Sequence, residues 1–77
     1  MAAVPYATVL GEEEALVMDV RRRDVHGVGY VDVVVAYKDR STENARLGPE
    51  SVPAELQAGE RVMVSRAVNM IVAVRRA

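Results

Sequence analysis

The chain reads as all-β, a small five- to six-stranded barrel, closed or partly open. Three observations point there. Seventy-seven residues allow one small domain, spanning 1–77. Sixteen of them are valine against a single isoleucine, with no Phe, Trp or Cys, so the core must be aliphatic and built from a residue that suits a pleated surface. Short apolar runs recur with turn signals every eight to twelve residues, the spacing of a small β-barrel rather than of a two-layer sandwich, which needs more chain.

The first strand is expected over Val4–Leu10 and is broken by Gly11 and the glutamates at 12–14. Ala15–Arg21 is the next. It alternates Leu16, Met18 and Val20 with Ala15, Val17 and Asp19, and so has one buried side. A helix over 12–23 competes, because Glu, Ala, Leu, Met and Arg are good helix formers, but its apolar residues make no clean helical stripe. Arg22–Gly29 reads as a turn, with Gly27 and Gly29 giving backbone freedom. Tyr30–Tyr37 is the clearest strand, with Val31, Val33 and Val35 on one face and Asp32 and Val34 on the other. Lys38–Ser41 is a hairpin turn, and Thr42–Leu47 is the return strand. Gly48–Leu56 holds two prolines and is a loop, with a helical turn expected at Pro53–Leu56. Arg61–Ser65 and Asn69–Arg76 close the chain, directing Val62, Val64, Met70, Val72 and Val74 inward.

The chemistry of the side chains is sparse. Without cysteine, and with His26 alone, neither a disulfide framework nor a histidine or thiolate metal site can form, and no cofactor is expected. No Gly-rich phosphate loop is present, and Ser41, Ser51 and Ser65 lack the glycine flanks of a nucleophile elbow. No catalytic residue stands out, and the chain reads as a non-enzyme. The N-terminus has neither the basic start nor the apolar run of a signal peptide, and no stretch is apolar enough to span a membrane, so a cytoplasmic location is expected.

The ending resembles one family. Leu56, Gly59, Val62, Met63, Val64, Ala67, Asn69 and Ala73 follow a pattern similar to the end of the interdomain OB barrels of actinobacterial proteasome-associated AAA ATPases. Val31-Asp32-Val33, Pro49 and the aromatic-led Tyr6–Leu10 also look like segments of that barrel, and together these cover about two thirds of the chain. The resemblance implies an OB-like barrel, with an SH3-like barrel as the alternative. It also implies a role in ring assembly, since the family's barrels contribute to that and to a rigid pore. Arg21–Gly29 stands as an insertion relative to the pattern, and neither the family's coiled coil nor its ATPase module accompanies the barrel.

Three functions follow as expectations. The first is self-association, or binding of another protein, through apolar residues on the outer face: Val34, Met63, Ile71 and Ala73. The second is a single-stranded nucleic-acid interface using Arg21, Arg23, Arg61, Arg66, Arg75 and Arg76. Against it stand a net charge of −1 and the opposed faces of Tyr30 and Tyr37. The third is an accessory chain of an enzyme complex, with Asp32 or His26 at an open barrel mouth.

Overall fold

The computed structural model describes residues 10–67 and 70–77. The expected strand at Val4–Leu10 lies outside them, apart from Leu10 itself.

Five antiparallel strands form one sheet in the order β3-β2-β1-β4-β5: β1 is Leu10–Val25, β2 Val28–Ala36, β3 Thr42–Leu47, β4 Arg61–Ala67 and β5 Met70–Arg76. No α-helix occurs among the described residues. β1 organises the molecule. Its first half pairs with β4, from Leu10 opposite Ala67 to Leu16 opposite Arg61. Its second half pairs with β2, from Leu16 opposite Ala36 to Val25 opposite Val28. The strand passes from one partner to the other at Leu16–Val17, where Val17 also exchanges backbone hydrogen bonds with Gly59 and Glu60. The sheet curls until its two edge strands, β3 and β5, touch, but no ladder joins them and the sheet is not closed.

β1 corrects two expectations. Gly11–Glu14 is not a break. Glu12 and Glu14 project from one face of the strand, where they pair with Arg75 and Arg61 across the sheet. Nor is Arg22–Gly29 a broad turn, and residues 12–23 are not a helix. The strand continues to Val25, and only His26 and Gly27 make the turn, both with positive φ (53° and 81°), as a two-residue type I′ hairpin requires. The Lys38–Ser41 turn and the Thr42–Leu47 strand form as the sequence indicates. The loop after β3 carries its helical turn at Pro49–Ser51 rather than at Pro53–Leu56.

The core lies on the concave face. Val17, Val33, Val35, Val62 and Val64 are fully buried there, with Leu47, Val52, Leu56, Ile71 and Val74 around them. Two bulges decide which residues join it. Between Val17 and Asp19 the register shifts, so Met18 has no partner on β2, and Val17 and Val20 turn to the same side although three residues apart. Opposite Ser65 and Arg66, β5 skips Val72 in the same way, and Ile71 and Val74 both turn inward. The expected inward set of β5 is therefore wrong at Met70, which is 62% exposed, and at Val72, while Val74 is buried as expected. Leu16 and Met18 are exposed, and Ala15 and Val17 make the buried side of that segment.

Candidate functional site

Alternation along the strands, corrected for the two bulges, assigns the side chains that alternate with the core residues to the convex face. Three sectors result.

Across β4, β5 and the first half of β1 lie ion pairs. Arg75 donates from Nε and Nη2 to the Glu12 carboxylate, both at 2.9 Å, and Arg61 reaches Glu14 at 3.3 Å. The Arg75 hydrogen bonds hold Glu12 below the usual carboxylate range. At the edge, Arg76 donates to Glu60 at 2.7 Å, which lowers the Glu60 carboxyl in the same direction.

The middle sector is apolar. Leu16 faces Ala36 on β2 and lies diagonal to Met63 on β4; Met63 in turn lies diagonal to Ala73 on β5. The bulged Met18 precedes Asp19, which is opposite Val34. Leu16 is 41% and Met18 50% exposed, while Val34, Met63 and Ala73 are half-buried. Beside this band, where β2 and β4 diverge from β1, a shallow cleft of about 260 Å³ opens between Leu16, Ala36 and Tyr37, with Glu14, Lys38 and Arg61 on its rim.

The third sector spans the second half of β1, β2 and β3. Arg21 and Arg23 stand opposite Asp32 and Tyr30, and Arg46 stands opposite Asp32 from the other side. Asp32 therefore sits between two arginines. Arg23 Nε donates to Oδ2 at 2.6 Å; Arg46 Nε donates to Oδ1 at 2.8 Å and its Nη2 to Oδ2 at 3.2 Å. The Arg46 hydrogen bonds foremost, then those of Arg23, hold the Asp32 carboxyl below its ordinary value. The Arg46 guanidinium carbon lies 5.9 Å from the centre of the Tyr30 ring.

One polar cluster faces inward instead. Tyr37 Oη donates to Glu43 Oε1 at 2.6 Å, and Arg66 donates to the Tyr37 hydroxyl at 3.1 Å and to Glu43. Arg66 comes from β4 and Glu43 from β3, so this cluster spans the open side of the curled sheet. Burial above all, and then the Glu43 carboxylate, push the Tyr37 hydroxyl up to about 12.

The residues singled out from sequence are thus dispersed. Of the apolar set, Val34, Met63 and Ala73 do face outward. Ile71 does not: it is 6% exposed and belongs to the core, because the β5 bulge reverses its direction. Leu16 and Met18, which link the other three across β1, were missed because alternation alone assigns them to the buried side. The six arginines form no single patch. Arg61 and Arg75 pair with glutamates on the convex face, Arg76 lies at an edge, and Arg66 reaches across the concave face to Glu43. Arg21 and Arg23 share the third sector, and their companions there, Arg46 and Tyr30, could have been found only through the pairing of β3 with β2. His26 occupies the exposed hairpin tip, and no three His, Asp or Glu side chains converge on a metal position among the described residues.

No family model, curated protein or solved structure matches the chain.

Proposed function

We propose that the chain is an OB-like, partly open barrel that acts as a non-catalytic module for self-association. In support of the barrel reading, a long bulged first strand is shared between β2 and β4, and the two edge strands meet across the open side. The single observation that carries self-association is the exposed apolar band. Leu16 and Met18 project from the middle of the convex face and join Val34, Met63 and Ala73 across four strands. Arg61 stands directly opposite Leu16, and Glu14 and Arg75 flank Met63, so a contact there sets apolar anchors among ion pairs, with the Asp32 clamp at one border.

Light scattering coupled to size exclusion, over a wide concentration range at low and high salt, tests the reading. A discrete oligomer that persists in high salt is expected. The double variant L16E/M63E is expected to elute as a monomer with an unchanged circular dichroism spectrum, since neither side chain is in the core. A hexamer would favour the ATPase-barrel resemblance in particular. A wild-type chain that stays monomeric at every concentration would overturn the proposal.

A further inference from the structure

We propose that the third sector is a binding site for single-stranded nucleic acid, in which Arg23 and Arg46, clamped on Asp32, take a backbone phosphate and Tyr30 with the Arg46 guanidinium takes a base. The argument starts from the hydrogen bonds. Asp32 accepts three, which orient both guanidinium groups beside it. Arg23 spends only Nε on Asp32, and Arg46 spends Nε and Nη2; the remaining terminal N–H groups of both are available to a second oxyanion. The cluster of two arginines and one aspartate keeps a positive charge. Arg21, directly opposite Asp32 on β1, extends the cationic row, although Asp19 at 3.0 Å partly neutralises it.

Holding an arginine fork in place before the ligand arrives removes much of the entropic cost of using it. Stability alone gives weak reason for the arrangement, because exposed pairs such as Arg46–Asp32 contribute at most about 1 kcal/mol. Tyr30 distinguishes the ligand. A carboxylate-bearing peptide would use the arginines and leave the ring idle. A nucleotide uses both, since a base stacks on an aromatic ring or on a guanidinium plane. From Arg23 on β1 to Arg46 on β3 the site spans two strand spacings, about 10 Å, which suits a short stretch of single strand.

Fluorescence anisotropy of a labelled ten-nucleotide single strand of mixed sequence, titrated with the intact chain, tests the site. Binding is expected at low salt, with log K falling against log salt at a slope of about −0.7, as for one phosphate on a single strand. R23A/R46A should bring the slope close to zero. Y30A should weaken binding about tenfold and leave the slope alone. R46K, which keeps the charge and loses the fork, should weaken binding while retaining the slope. L16E/M63E, altered in the apolar band, should bind like the wild type, so this proposal and the self-association reading can fail separately. No anisotropy change at low salt overturns the site. So does an equal loss from R75A on the far side of the convex face, or displacement of the strand by poly-glutamate as readily as by unlabelled strand, which would mark a general polyanion surface.

Discussion

His26 holds a backbone that side chains with a Cβ seldom adopt, at φ 53° in the first position of a type I′ turn. Asn and Gly favour that position, because type I′ requires positive φ at both central residues. H26N is expected to stabilise the chain by about 0.5–1 kcal/mol, read as a rise of roughly 2–8 °C in melting temperature. An unchanged or lower melting temperature would contradict this account of the hairpin tip. Arg40, at φ 73° after the turn that links β2 and β3, stands in the same position as the glycine of a bulged hairpin, which only the structure reveals. The titrating side chains act in opposite directions. Asp32, Glu12 and Glu60 are held below their unfolded values by arginine hydrogen bonds. Their contribution is present above the ordinary carboxylate range, and it is lost as pH falls through the lower values that they hold in the fold. Tyr37 is raised from 10 to about 12. Its contribution is complete below pH 10 and is lost as pH climbs through 12. Melting temperatures are therefore expected to fall at both ends of the scale, and Y37F should flatten the alkaline end alone.

At the scale of the element, the two bulges explain most of the distance between sequence and structure. β2 and β3 follow the alternation of Val31, Val33 and Val35 and the Thr42–Leu47 pattern, because no residue on either strand lacks a partner. β1 and β5 each contain one extra residue, and a period-two count changes face there without warning. Ile71 and Val72 exchange places for this reason, and Leu16 and Met18 leave the interior. The charged ends of β1 were hidden differently. Three glutamates and three arginines look like turns in isolation, and cross-strand partners for Glu12, Glu14 and Arg23 on β5, β4 and β2 help to hold them in a strand. The bulges also make a sharp prediction. Deleting Met18, or deleting Val72, removes the unpaired residue and leaves every inward valine inward. Each deletion is expected to fold, with β3 and β5 less closely approached. Deleting Val33 instead reverses the faces of the rest of β2 and should abolish cooperative unfolding. A circular dichroism melt of the three variants separates these outcomes.

The whole molecule depends on a core in which eight of the twelve buried residues described are valine. Val35 and Val64 are 0% exposed, and truncating either to alanine is expected to cost about 2–3 kcal/mol, or roughly 10–20 °C in melting temperature. The all-β class was legible in composition and turn spacing, and so, within one, was the number of strands among the described residues. That the sheet stays open was not, because this depends on how far the sheet curls and not on which segments are strands. The candidate site was legible only in fragments. Val34, Met63 and Ala73 were recognisable as outward residues, but the residues that connect them, and the arginine that completes the Asp32 clamp, are brought in by strand order.

β1 belongs to two ladders, and this has a kinetic consequence. Its second half pairs with β2 across a two-residue turn, a contact that closes in microseconds. Its first half waits for partners 47 and 53 residues away, as at Glu14–Arg61 and Glu12–Ser65. Until they arrive, three glutamates on an unpaired strand repel one another and discourage premature pairing with a second chain. The local hairpin thus serves as the seed, and capture of β4 as the slow step that commits the chain. A weakening substitution in the β1–β2 hairpin should slow folding, and so should V64A on the strand captured in the slow step, whereas V74A on β5, which docks onto β4, should chiefly speed unfolding.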